Sequence, residues 1–284
     1  MGLGRTAAAK ILGAMGEGTD RRVRRRVLAL AATWVYSARR RVWQSFAVDR
    51  DGYWVNRTPI GTVVSPGVSL VDARAMEAVV RRDWCARYLP GPGDVVVDVG
   101  AGVGEEALVF SRLVGPTGRV IAIEAHPRTA ECLRRTVALS RCTNVTVLAC
   151  AVSDRDGEVH IGDEDAHLAN SIVAGGVGVA VPARRLDAVL REAGLDRVDF
   201  VKMNIEGAEV AALRGTDLDR VRHLCISCHD FVADRHGSES MRTREAVTRL
   251  LEAAGFETTR GSREEARPWI ADNVHATRRV LSAV

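Results

Sequence analysis

The residues of this 284-residue chain whose types and spacing could do chemistry begin in the stretch VVVDVGAGVGEE, from Val95 to Glu106. An apolar run ends in an acid, Asp98, and then in glycines at alternate positions, Gly100, Gly102 and Gly104. A buried strand breaks in this way into a tight loop whose backbone can approach a small molecule closely. Dinucleotide-binding loops space their glycines as G-x-G-x-x-G and seat a pyrophosphate on the following helix N-terminus. Here the third glycine comes one residue early, and Glu105 and Glu106 open the helix, so a phosphate would be repelled and a cationic ligand favoured. No Gly-Lys-Ser/Thr follows, which excludes a P-loop. The next apolar run, VIAIEAHP, ends at Glu124 about twenty residues further on, where an acid accepts hydrogen bonds from ribose hydroxyls or, taken alone, is a solvated strand-end acid. A ligand with a ribose, a cationic group and no phosphate describes S-adenosylmethionine.

A second group of candidates follows two later apolar runs. VDFVKMNIEGAE carries Lys202, Asn204, Glu206 and Glu209, and HLCISCHDF carries His229 and Asp230. Lys202 sits inside an apolar strand, where an unpaired ammonium is costly, so it either pairs with a nearby acid or reaches a pocket mouth. Glu206 lies nearer the strand end than Glu209, which is expected to cap or pair on the helix that follows. His229 titrates in the range suited to taking a proton near neutrality, with Asp230 as a partner if the chain bends there. Otherwise it is a rim histidine that shapes the site.

The elements that must position these groups alternate from Asp94 onward: strand, helix, strand, helix, strand, an irregular Gly-rich stretch from Gly157 to Gly178, then helix, strand, helix, strand and helix, with weaker strand candidates after Phe256. Such alternation builds a parallel sheet with crossover helices. Before it, residues 20–46 read as a helix, DGYWVNRTPIGTVVSP as a hairpin, and DARAMEAVVRRDWCARYL as a helix with Asp72 as its N-cap. The division expected is an N-terminal helical and hairpin appendage over residues 1–89 and a main domain over 90–284. The appendage and a loop at 166–178 are expected to cover the acceptor, with Trp43, Tyr53 and Trp54 as aromatic walls or as the appendage's own core.

Bulk properties narrow the classes. With 46% hydrophobic and 27% charged residues the chain is globular, which excludes disorder and collagen-like repeats. The net charge of +4 is mild, but arginines crowd the segment from Arg21 to Arg41 around VLALAATWVYSA, an apolar stretch too short to cross a bilayer. It is read as a helix packed on the domain or on a partner subunit, as in a homodimer, with contact to a membrane surface as the alternative. No cleavage site of a secretory signal is evident. The six cysteines have no stapling pattern and read as reduced thiols of a cytoplasmic protein; Cys225 and Cys228 fall on opposite faces of a strand, against a zinc or redox pair. Basic residues beyond the first segment alternate with acids and no aromatic-basic stripe is present, against nucleic acid as partner.

The order VVVDVGAGVGEEALVFSRL, RVIAIEAHPRTAECLRRTV, NVTVLACAVSDRDGEV, RRLDAVL and VDFVKMNIEGAEVAALRG resembles that of the FkbM family of S-adenosylmethionine-dependent methyltransferases over about residues 90–215. The glycine loop is common to many methyltransferases, whereas VKMNIEGAE after LDAVL is closer to family-specific. The resemblance implies an α/β, Rossmann-like class I methyltransferase fold with a mostly parallel seven-stranded sheet flanked by helices. It implies that Asp98, Gly100, Gly102 and Gly104 hold the methionine part, Glu124 with Ala125 the ribose end, and Ser153 and Asp154 the adenine, although Ser-Asp-x-x-Gly also makes an ordinary turn. It also implies a small-molecule acceptor, a hydroxyl of a sugar, glycosylated natural product or glycolipid, with a small-molecule N-methyltransferase or a non-catalytic S-adenosylmethionine-binding scaffold as alternatives. His229, Glu206, Asn204 and Lys202 are then the catalytic candidates. Family members usually carry an aspartate where this chain has Asn204, and more often a glutamate near His229; the missing charge at 204 disfavours a divalent metal.

Overall fold

The computed structural model describes residues 21–40, 43–67, 73–162, 178–261 and 267–279. In chain order the elements are α1 (Arg21–Arg40), β1 (Ser45–Val48), β2 (Trp54–Thr58), β3 (Gly61–Ser65), α2 (Ala73–Val79, running into a wide turn at Val80–Trp84), β4 (Val95–Val99), α3 (Glu105–Val114), β5 (Arg119–Ile123), α4 (Pro127–Leu139) and β6 (Val145–Leu148). They continue with β7 (Ala151–Val152), β8 (Gly157–Ile161), β9 (Val179–Arg184), α5 (Leu186–Glu192), β10 (Val198–Met203), α6 (Glu209–Arg214), β11 (Val221–Ser227), α7 (Asp230–His236), α8 (Arg244–Ala253), β12 (Phe256–Arg260) and β13 (Asn273–Arg278).

Seven strands form the central sheet in the order β12-β13-β11-β10-β4-β5-β6. The five inner and right-hand strands are parallel, while β13 runs antiparallel to both β11 and β12. The sequence explains the difference. β4 and β10 are buried on both faces because helices cover both: each of their residues from Val96 to Val99 and from Val198 to Met203 is buried, the charged Asp98, Asp199 and Lys202 included. β12 and β13 are mixed, with threonine, arginine and histidine, as suits a sheet end closed by an antiparallel return. Strand order reverses between β4 and β10, which places the ligand crevice of such a sheet at the loops following those two strands.

The stretch VTVLACAV, expected as one strand, is two: β6 closes the main sheet, and β7 turns away to pair with β9 in a small sheet, β7-β9-β8. The hairpin of the N-terminal region acquires a third strand, giving β1-β2-β3, and α1 ends at Arg40 because β1 starts a few residues later. Asp72, the expected N-cap of α2, lies outside the described residues.

The small N-terminal sheet docks on the outer side of α3 and α4, with Val55, Val63 and Val64 packed against Val103, Leu108 and Cys132. Two buried polar contacts fix its register: the Thr136 hydroxyl accepts from the Val64 N–H at 2.9 Å, and the Ser140 hydroxyl accepts from the Thr62 N–H at 2.8 Å. The helix α2 is instead part of the main core, where Val80 and Trp84 pack with Val96, Phe110 and Phe200. Thr136→Val keeps the shape but strands the Val64 N–H, and it is expected to lower stability by about 1–3 kcal/mol; a urea titration should show the midpoint fall with an unchanged slope.

Candidate active site

The loops after β4 and β10 meet at the sheet's switch point. Gly100 has a left-handed φ of +73°, and a Cβ there would stand 2.0 Å from the carbonyl oxygen of Asn204. Only glycine satisfies both demands, so this loop is pressed directly onto the end of β10. Beside it opens a cavity lined by Gly100, Gly102, Glu124, Ala125, Val152 and Asn204, among others. The Glu124 carboxylate is fixed at its edge: Oε2 accepts from the Gly102 N–H and Oε1 from the His126 N–H, each at 2.9 Å. Burial pushes this carboxyl up, and the two backbone donors pull against it. Each oxygen retains a lone pair, enough to accept from two ribose hydroxyls. The wall beyond Glu124 is apolar, with Ala151, Val152 and Ile161 suited to an adenine face. The residues present therefore fit S-adenosylmethionine, with Glu124 and Ala125 toward the ribose and Gly100 and Gly102 toward the amino-acid end.

Lys202 lies behind this loop. The β10–β4 register sets it beside Asp98, and its ammonium, 1% exposed, lies 2.9 Å from Asp98 Oδ1, 2.8 Å from Glu106 Oε2 and 2.8 Å from the Gly100 carbonyl oxygen. Burial works against its charge, but the two carboxylates more than offset it and hold it as an ammonium. Glu106 in turn accepts from the Trp84 indole N–H at 2.6 Å. Of the two openings left for Lys202 by its place in the strand, the structure selects the ion pair: neither Lys202 nor Asp98 lines the cavities described here.

A second cavity of about 520 Å³ adjoins the first and shares Asn204 and Glu206 with it as a common wall. Its other sides include Trp84, Glu106, His229, Phe231 and Trp269. Glu206 is a non-glycine residue with φ of +50°, followed by Gly207 at +95°. This pair of left-handed residues, strained at Glu206, turns the Glu206 carboxylate back to the shared wall. His229 is clamped between two acids, with Nε2 3.1 Å from Glu206 Oε1 and Nδ1 3.3 Å from Glu209 Oε1. Glu209 is fully buried and also accepts from Thr243 Oγ1 and the Gly207 N–H. Burial alone would pull the imidazole down, but the hydrogen bonds to Glu206 and Glu209 outweigh it and raise its pKa to about 9.

Other expectations change. Asp230 does not orient His229; its carboxylate accepts from the N–H groups of Thr243 and Arg244 and caps α8. Ser153 and Asp154 stand beyond the cavity wall, which ends at Val152; they form a turn against Arg184, Arg185 and Gly215. Gly104 is the N-cap of α3, packed on Leu133 rather than open to the cavity. Trp54 belongs to the core under α1, Tyr53 packs beneath Arg135, and Trp43 is exposed, so none is an acceptor wall. The aromatic walls are Trp84, Phe231 and Trp269, of which the first two follow helix periodicity and turn signals that could have flagged them only with the tertiary neighbours known. The loop expected at 166–178 as a lid lies, up to residue 177, outside the described residues. Among the described residues no group of three or more His, Cys, Asp or Glu side chains could hold a metal ion.

The His229 clamp makes stability pH-dependent with a definite sign. The folded chain binds this proton more tightly than the unfolded one, so the stabilisation is complete below the ordinary value of 6.5 and is lost as pH rises through about 9. The contribution is on the order of 3 kcal/mol. Urea midpoints measured at pH 6 and pH 9.5 should differ more in the parent chain than in His229→Gln.

Comparison with known proteins agrees with this geometry. Residues 98–258, more than half of the chain, match the methyltransferase FkbM domain. The chain is 26% identical over 235 residues to methyltransferase sdnD of Sordaria araneosa, covering 69% of this chain and 87% of that protein. It is 31% identical over 147 residues to 2-O-methyltransferase NoeI of Sinorhizobium fredii, covering 45% of this chain and 59% of that one. Among solved structures, an FkbM methyltransferase from Methylobacillus flagellatus is similar with 19% identity and a TM-score of 0.42, over 65% of this chain and 43% of that one. The glycine loop, Glu124 and the NIEGAE turn all fall within the matched segment, and the chain belongs to the FkbM family of S-adenosylmethionine-dependent methyltransferases.

Proposed function

We propose that this methyltransferase modifies a hydroxyl oxygen of a sugar-containing small molecule held in the second cavity. The observation that carries the reading is the common wall: Asn204 and Glu206 face both the glycine-loop cavity and the cavity lined by Trp84 and Trp269. Bound in the first cavity, S-adenosylmethionine supplies a methyl group on a sulfonium. The chain's part is to hold the acceptor oxygen in line, keep water out and receive the proton. Flat indoles at Trp84 and Trp269 suit the C–H faces of a sugar ring, while Glu106, Asn204, Ser227 and Asn273 offer partners to its hydroxyls. The Sinorhizobium fredii relative is a 2-O-methyltransferase, which supports oxygen as the target. Among the described residues of 1–89, those that line this cavity are Val79 of α2 and Asp83 and Trp84 of the wide turn that follows it. The six free cysteines fit a cytoplasmic setting.

In this reading the roles of the two strand-end candidates exchange. A group with its pKa near 9 is unprotonated in only about one molecule in a hundred at pH 7. His229 therefore positions, and Glu206 receives the acceptor proton. The imidazolium, backed by buried Glu209, holds Glu206 at the shared wall and neutralises it. The Asn204 amide oxygen at this wall is buried and has no hydrogen-bond partner among the described residues, which leaves it an acceptor for a substrate hydroxyl once the cavity is filled.

Two measurements test the two halves of the proposal. Calorimetric titration with S-adenosylhomocysteine should show Glu124→Ala weakened by about 10–100-fold through loss of the ribose bonds, and unchanged affinity would remove the cavity assignment. With a panel of methyl glycosides and glycolipids as acceptors, Glu206→Gln should lose about 10²–10⁴-fold in kcat while keeping its S-adenosylhomocysteine affinity. A Glu206→Gln enzyme that stays active, with a rate rising near pH 7, would return the base to His229; activity on amines alone would turn the assignment to N-methylation.

A further inference from the structure

The chain's positive charge is concentrated in one place. From Arg21 to Val48 there are eight arginines and no acid, and setting these aside turns the chain's 40 basic and 36 acidic residues into 32 and 36. The segment is α1 and the start of β1, and α1 is held by a single face. Ala29 packs in a cluster with Phe46 and Trp54. The Thr33 hydroxyl accepts from the Phe46 N–H at 2.9 Å, and Arg25 donates to the Gly52 carbonyl at 2.7 Å. These contacts fix which side faces outward. On that side Val23 is 47%, Leu30 64% and Trp34 79% exposed. At spacings of seven and four residues they form one line along the helix, with exposed Arg26 beside it. Trp43, just beyond the helix, is a further exposed indole.

We infer that α1 lies on an anionic membrane surface, with Val23, Leu30 and Trp34 entering the interface and Arg26 beside them paired with lipid phosphate. The helix lies on the surface and does not cross it, since no helix among the described residues is long and apolar enough to span a bilayer. Charge selects the occupant. A second copy of this chain would set an acid-free arginine segment against its own symmetry mate, at a repulsive cost. Nucleic acid would meet the arginines but leave the apolar line without a partner. A leaflet of anionic lipid answers both, with phosphates for guanidinium groups and an interface where indoles settle. The inference is independent of the acceptor's identity.

The test uses the full chain in cosedimentation with vesicles of phosphatidylcholine alone or with about one third phosphatidylglycerol. Binding should require the anionic lipid and fall several-fold between about 0.1 and 0.5 M salt. Leu30→Gln/Trp34→Gln should reduce it at least about tenfold while leaving S-adenosylhomocysteine affinity unchanged, and Arg249→Ala, an exposed arginine of α8, should bind as the parent does. Should the double variant fail to fold, Trp34→Gln alone, at the most exposed of the three side chains, carries the same reading. The inference is overturned by absence of binding to anionic vesicles, by equal binding of the variants, or by a lipid-free dimer that dissociates in Leu30→Gln/Trp34→Gln, which would make a second copy the occupant.

Discussion

The site depends on one buried cation. Lys202 stands near the C-terminal end of the central strand, fully buried, where a lone ammonium could not be tolerated, and it is accepted because β4 supplies Asp98 and α3 supplies Glu106. Its third bond, to the Gly100 carbonyl, joins that charge cluster to the loop on which the cofactor rests. The same cluster extends through Glu106 to the Trp84 indole, which forms part of the neighbouring cavity. One side chain thus ties the floor of the donor site to the wall of the acceptor site. Its value is geometric: a dry, fully bonded cation admits few alternative arrangements of the groups around it.

The turn after β10 complements this rigid floor. Glu206 in a left-handed conformation is costly, while Gly207 adopts one freely, and the fold holds Glu206 there because Glu209 accepts from the Gly207 N–H while His229 bridges Glu209 and Glu206. The His229 ring is therefore a structural clasp between the two acids. Capping of α8 by Asp230 fixes the backbone next to His229 and leaves the ring, not the aspartate, facing the acids.

Part of the glycine-loop cavity was legible in the sequence because it is local. Gly100, Gly102 and Glu124 sit in two successive strand-loop units and line it, whereas Asp98, Gly104, Ser153 and Asp154, read from the same pattern, do not. Of the second cavity, Asn204, Glu206 and His229 were singled out as strand-end residues, but Trp84, Glu106 and Trp269 were not read as its walls, because they come from separate segments whose proximity is a property of the sheet order. The same reason explains the reversal for Asp230. Adjacent in sequence to His229, it looked like a relay partner, but it starts a helix there and its carboxylate is drawn to the backbone N–H groups of α8. The aromatic pair Tyr53 and Trp54 was ambiguous in sequence between wall and core, and packing against α1 and Arg135 decided it. The split of VTVLACAV between two sheets had no sequence signal, since both halves are apolar and only the pairing of β7 with β9 separates them.

Charge around the two cavities explains the amide at position 204. Asp98, Glu106, Glu206 and Glu209 are four carboxylates facing two cations, Lys202 and His229, and Glu124 adds a fifth acid a short way along the wall. An aspartate at 204 would place a further negative charge on the one surface shared by both cavities, with no cation left to meet it. The amide keeps hydrogen-bonding capacity at that point without the charge.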